Sequence, residues 1–248
     1  FRNNKKIINK LNLKKNNSNY IIDGETFDAT RLINNIMNND KESSSFFKDL
    51  NTKIKIRIKK TYIDKFNYIN DIYGNINFNN NKINDLELVG VFPNEKKINF
   101  SIKANKNSET ITQLSSAYPR PLVKRYNFIK GFEEGYLNFY SSKKEDVSNS
   151  VLIIDNFKVK EVPIFAKILS LASLQGMADL LTGEGIRFTD FEMNFSNQKG
   201  LTTIKEMYAI GPAVSILMDG YIENKKLVSL RGTLVPATTI NRTIASIP

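Results

Sequence analysis

Only two places in this 248-residue sequence set acidic residues next to one another, Glu133-Glu134 and Glu145-Asp146. Paired carboxylates can share acid and base roles in hydrolysis, but only if they face each other across a substrate. Neighbours on a strand point to opposite faces and neighbours in a loop are solvated, so neither pair meets that need. Cys and His are both absent, which removes thiolate and imidazole metal ligands, the Cys nucleophile and the usual general base. The nearest thing to a phosphate loop is Gly183-Glu184-Gly185. There Phe188 stands at the third glycine position of G-x-G-x-x-G, and a helix is expected before the turn rather than after it, as at a glycine helix cap. The expectation is a chain with no catalytic residues, no metal and no cofactor, which is not an enzyme.

What remains is patterning. The chain carries a formal charge of +11, and residues 151–248 hold ten Lys/Arg against nine Asp/Glu, so nearly all the excess lies in residues 1–150. A basic segment suits nucleic acid, anionic lipid headgroups or a solvated face. Lys53-Ile54-Lys55-Ile56-Arg57-Ile58-Lys59 alternates isoleucine rather than aromatic residues with its charges, so no nucleic acid is expected. The sequence opens Phe1-Arg2-Asn3-Asn4-Lys5, stops at Ile247-Pro248 and reads as an internal fragment. Its most apolar stretch, 164–181, contains Lys167, Gln175 and Asp179, so no bilayer span is expected within it. A membrane anchor is expected outside this piece.

The first fifty residues read as polar and irregular, with a short helix over 29–37. Strict alternation then begins at Lys53 and places Ile54, Ile56 and Ile58 on one face of a strand. Shorter runs at 75–78, 85–89 and 99–103 recur about every ten residues and predict consecutive antiparallel strands. Tyr118-Pro119-Arg120-Pro121 breaks the pattern before a short helix over 122–127, and a strand resumes at 136–140. The charged run 143–149 reads as a loop and supplies a boundary: 1–142 as repeating strand modules, 143–248 as a second region.

Residues 151–159 predict a strand, and Pro163 suits the first turn of a helix. On that helix Ile164, Phe165, Ile168, Leu169, Leu171 and Ala172 share an unusually wide apolar face. Four strands are expected next, over 186–195, 201–210, 213–222 and 227–235. In the third, Val214, Ile216, Met218 and Ile222 share a face; in the first, a change of phase predicts a bulge near Thr189-Asp190 or a strand embedded in apolar surroundings.

From residue 151 onward the text can be matched. The blocks are Asp155-Asn156-Phe157-Lys158-Val159, Val162-Pro163, Leu169-Ser170-Leu171-Ala172-Ser173-Leu174-Gln175-Gly176, Leu180-Leu181-Thr182-Gly183-Glu184-Gly185-Ile186-Arg187-Phe188, Ala209-Ile210-Gly211-Pro212, Asp219-Gly220 and Arg231-Gly232-Thr233-Leu234-Val235-Pro236-Ala237. In this order, over about a hundred residues, they resemble the C-terminal region of YhdP-type members of the AsmA-like family. Asp23-Gly24-Glu25-Thr26-Phe27-Asp28-Ala29 and the stretch 74–92 look like that family's strand modules. An aromatic expected after Pro236-Ala237 is missing.

The resemblance implies a mainly β fold, an elongated antiparallel sheet curled into a groove (the AsmA/TamB-like trough) with a few short amphipathic helices. It also implies a periplasmic protein anchored in the inner membrane of a Gram-negative envelope and linked to phospholipid movement and outer-membrane integrity. The partner would be phospholipid acyl chains. On this reading Ile54, Ile56, Ile58, Leu86, Leu88, Phe100 and Ile102, with Val214, Ile216 and Met218, line an oily channel. Two rivals share the pattern: an assembly factor that pairs polypeptide with a sheet edge, and a basic surface that holds an anionic polymer.

Overall fold

The computed structural model describes residues 7–33, 51–80, 82–105, 109–126, 129–160, 185–224 and 226–236. Its strands are β1 Lys10–Asn16, β2 Asn19–Asp28, β3 Thr52–Tyr62, β4 Tyr68–Asn79, β5 Lys82–Val91, β6 Lys97–Ala104, β7 Glu109–Ser116, β8 Phe132–Lys144, β9 Val147–Val159, β10 Ile186–Gln198, β11 Leu201–Ile210, β12 Val214–Glu223 and β13 Leu227–Pro236, and helix α1 covers Arg120–Tyr126. Hydrogen bonding orders the thirteen strands as they come in the sequence, in a sheet that is not closed. The chain divides into two compact units, Phe1–Leu114 and Ser115–Pro248. The expected boundary at 142/143 lies inside the β8–β9 hairpin.

Local chemistry explains the turns. Asn17, Asn80, Glu145, Lys199 and Asn224 all have positive φ, the conformation that tight hairpin turns require to match the strand twist and that Asn tolerates best. Two expectations fall here. Residues 10–28 are not irregular, because β1 and β2 form a hairpin about Asn17-Ser18, with Leu13 opposite Ile22. The run 143–149 is not a loop either, since β8 reaches Lys144 and β9 begins at Val147.

Antiparallel pairing has one exception, for β2 and β3 run parallel. A parallel pair needs a long crossover, and residues 29–51 supply it, with helix at 30–33 of the expected 29–37 segment; 34–50 lie outside the described residues. So does the amphipathic helix with Ile164, Phe165, Ile168, Leu169, Leu171 and Ala172.

Several strands change phase partway, β4 with a register shift against β5 between Asn70 and Tyr73 and β9 in continuous register. Asp71 in β4, Glu134 and Gly135 in β8 and Asn156 in β9 sit at positive φ, which turns the residues on either side of them toward one face. A Cβ at Gly90 would meet both Ile69 and Ile72 of β4, three residues apart and on the same side. In β9, Ile154 and Phe157 are both buried. The expected bulge at Thr189-Asp190 is this kind of change: Phe188 pairs with Phe157 and Asp190 with Asp155 in continuous register, and the register shift in β10 comes at Asn194/Phe195 against β11.

The core of the first unit gathers Ile58, Ile63, Ile69, Phe78, Leu86, Phe92 and Ile98. That of the second is aromatic at its centre, where Phe157 stacks on Phe132 and Phe188 at 5.4 and 5.3 Å and meets Phe191 edge-on at 6.3 Å. Such pairs add about 0.5–1.5 kcal/mol each beyond their burial.

Candidate functional site

In the first unit the register sets aliphatic residues side by side. Leu13, Ile22, Ile56, Gly74, Leu88 and Phe100 occupy one row across β1 to β6. Tyr20, Ile54, Ile76, Leu86 and Ile102 form the next. Directly opposed residues share a face, so Ile54, Ile56, Ile58, Leu86, Leu88, Phe100 and Ile102 lie on one side of one unit. Ile58 and Leu86 are buried, while Ile54, Ile56, Leu88, Phe100 and Ile102 are half-buried. Toward β1 the face opens, with Leu13 63% exposed.

The second unit repeats this arrangement. Leu137, Ile154, Phe191, Ala209, Ile216 and Leu234 make one row across β8 to β13, and Phe139, Leu152, Met193, Met207, Met218 and Gly232 the next. Burial runs along the strands as a gradient. Near the connections at 160–185 and 211–213, Ile186, Phe188, Ala213 and Val214 are buried. At the hairpin-turn end Phe195 and Ile222 are half-buried and Leu230 is exposed. Val214 is therefore core rather than accessible wall, being fully buried. Ile216 and Met218 stay half-buried.

Sequence reasoning missed Ile22, Ile72, Ile76, Leu137, Ile154, Phe191 and Met193, although each sits on a strand with some apolar signal. It also missed that Gly24, Gly74, Gly90, Gly220 and Gly232 all pair with residues of the apolar face. Gly74 (φ 156) and Gly220 (φ 146) stand where a Cβ would strike backbone of the next strand, Glu87 and Ser229 respectively. No other residue fits there.

The opposite faces are polar. In the first unit Arg57 pairs with Asp23 at 2.7 Å and Lys59 with Glu25 at 2.8 Å across the parallel β2–β3 pair. The Arg57 guanidinium, which donates to Asp23, holds that carboxyl below its ordinary range, and Lys59 does the same to Glu25. An open depression of about 620 Å³ is lined by residues of both faces, Lys10, Asp23, Glu25, Arg57, Lys59, Asp71 and Tyr73 together with Leu11, Gly24, Ile58 and Ile72. It holds three cations and three acids, so it has no preference for an ion of either sign. In the second unit the Tyr208 hydroxyl donates to Glu192 at 2.9 Å, and that acceptor raises its pKa.

Glu133 and Glu134 serve different partners. Glu133 meets Lys160 at 2.9 Å and Arg120 at 3.6 Å, while Glu134 meets Lys158 at 3.2 Å and Arg187 at 3.3 Å. Lys160, donating to Glu133, lowers its pKa, the opposite of what a general acid needs. Glu145 and Asp146 are exposed in a turn. Among the described residues no group of three carboxylates is placed to hold a metal ion, and no helix is long and apolar enough to cross a membrane. No family model, no curated protein and no solved structure matches the chain.

Proposed function

We propose that this chain is a lipid-binding segment of a periplasmic protein anchored to the inner membrane of a Gram-negative envelope, where it helps carry phospholipid toward the outer membrane and so supports outer-membrane integrity. The observation that carries the reading is the register. In each unit, matched positions on six strands line up aliphatic side chains on a face that stays partly open. Strands stand about 4.8 Å apart, so such a row extends roughly 24 Å, more than the ~15 Å depth of one leaflet's acyl layer. In this reading each apolar face is the concave wall of a trough like that of the AsmA/TamB-like proteins. The glycines on it supply the room a sheet needs to bend toward that side.

Each buried CH₂ of an acyl chain stabilises the complex by about 0.8 kcal/mol. A wall without polar groups offers nearly equivalent seats, so a chain slides along it with little to climb. Ile54, Ile56, Leu88, Phe100 and Ile102 provide that wall in the first unit, Ile216 and Met218 in the second. The membrane connection is assigned to parts of the protein beyond these residues.

A second reading keeps an observation of its own. Strands β1 and β13 end the strand order, and Leu11, Leu13, Leu227 and Val228 on them are exposed, which is how an edge receives a polypeptide strand. Photo-crosslinkers placed at Ile56 and Ile216, with Glu87 and Leu217 as controls on the opposite faces, separate the two. The lipid reading expects phospholipid adducts at 56 and 216 alone, and phospholipid retained in native mass spectra of protein purified from an envelope. Bare protein, or peptide adducts concentrated at the β1 and β13 edges, overturns it.

A further inference from the structure

The face of the first unit turned away from the aliphatic rows holds more positive charge than its own acids neutralise. Asp23 is taken by Arg57 and Glu25 by Lys59. That leaves Lys14 on β1 and Lys53 and Lys55 on β3, all exposed. Lys14 pairs in register with Ile21, and Ile21 with Lys55. On their other side Lys55 faces Asn75 and Lys53 faces Asn77. The acids of that neighbourhood, Glu87 and Asp85, stand one strand further, behind those asparagines. Among the described residues none of the three lysines has an ion-pair partner. Both Lys14 and Lys55 nevertheless lie close enough to Asp23 to act on its carboxyl, so the three ammoniums form one cluster beside the charge-balanced depression rather than inside it.

We propose that this face is a docking surface for the anionic headgroups of a membrane, with Lys14, Lys53 and Lys55 as the groups that engage it. The arrangement fits a planar array of phosphates better than a nucleic-acid strand. Lys53 and Lys55 are two residues apart on one strand, about 6.7 Å, and Lys14 lies two strands away, about 9.6 Å, so the charges spread over a sheet surface instead of tracking one line. Their immediate neighbours are Asn75, Asn77 and Ile21, so the nearby ring is Tyr73 beside Arg57 and no series of rings follows the lysines for successive bases to stack on. Tyr73 beside Arg57 is 57% exposed, an amphipathic ring of the type that settles at headgroup level. The surface is distinct from the apolar faces invoked for acyl chains, so each assignment can fail without the other.

A lysine near an anionic surface contributes roughly fivefold to binding, and three together on the order of a hundredfold. The test is co-sedimentation of the full chain with phosphatidylcholine vesicles, with and without phosphatidylglycerol. Binding is expected only to the anionic vesicles, lost as salt is raised, and weakened about a hundredfold in the variant Lys14→Gln, Lys53→Gln, Lys55→Gln. The single change Lys53→Gln should give about the fivefold decrement on its own. A variant of equal net charge, Lys143→Gln, Lys144→Gln, Lys199→Gln, altered at the exposed hairpin ends of the second unit, should bind as the parent does. Equal loss in the two triple variants, or equal binding to neutral vesicles, overturns the proposal. So does single-stranded RNA that binds more tightly than vesicles and depends on the same three lysines. The first triple variant should still crosslink to acyl chains through position 56; absence of acyl crosslinks from parent and variant alike would sink the lipid-trough reading and leave the headgroup surface standing.

Discussion

Thr61 is the one buried side chain among the described residues whose polar atom lacks a partner: it is 5% exposed and its Oγ1 makes no hydrogen bond. A hydroxyl desolvated without compensation destabilises the fold, and valine has nearly the same shape without the hydroxyl. Thr61→Val should therefore stabilise the protein by about 1 kcal/mol, read as a higher urea midpoint at unchanged slope. Charge acts differently. Asp23 and Glu25 have folded pKa values lowered by Arg57 and Lys59. A carboxylate with a depressed folded pKa adds stability that is fully present above its unfolded pKa and is lost as pH falls through the folded value. Stability should thus decline as pH drops below about 4. The double change Asp23→Asn, Glu25→Gln should flatten the decline, and so should salt, because both pairs are exposed. An unchanged slope of urea midpoint against pH in that variant would remove the pairs from the account.

A strand in this protein has two unlike faces, and β12 makes the difference measurable. Ile216 is half-buried in the apolar row between Ala209 and Leu234, whereas its neighbour Leu217 is 51% exposed between Tyr208 and Thr233. Ile216→Asn should cost about 1–2 kcal/mol and Leu217→Asn no more than about 0.5 kcal/mol, compared by denaturant unfolding. The same contrast explains what the sequence disclosed. β3 was legible because Ile54, Ile56 and Ile58 alternate with charge, and β12 because Val214, Ile216 and Met218 recur at every second position, although Leu217 and Tyr221 occupy its other face. β1, β2 and β7 were not, since only Leu11 and Leu13 mark β1, Ile21 and Ile22 of β2 fall in opposite phases, Ile111 and Leu114 of β7 stand three residues apart, and pairing with a neighbour is what makes strands of them. The parallel β2–β3 pairing was out of reach too, because a long connection does not say which edge it returns to. Changes of phase at a residue of positive φ inside a strand were not legible either. Asn156 turns Ile154 and Phe157 to the same side in continuous register, and Ile69 and Ile72 share a side across Asp71, where β4 shifts register against β5. Of the candidate wall, the members on β3, β5 and β6 could be named from alternation alone, but the buried state of Val214 could not, because alternation marks a face and not its degree of burial.

At the scale of the whole chain, two opposed tendencies meet. A formal charge of +11 keeps copies apart in dilute buffer, while the partly open rows around Leu13, Phe100, Met218 and Leu230 attract one another. The repulsion is long-ranged and shrinks with the Debye length, from about 30 Å at 0.01 M salt to about 8 Å at 0.15 M; apolar attraction is not weakened by salt. Self-association should therefore increase as salt is raised, followed as a rising weight-average sedimentation coefficient. A non-ionic detergent above its micelle concentration should reverse it by covering the rows. Docking on anionic vesicles through Lys14, Lys53 and Lys55 has the contrary sign and weakens over the same range, so one salt titration read by both methods separates the two surfaces. If the chain stays monomeric at high salt without detergent, its aliphatic rows are shielded within each copy, and no acyl chain could reach them.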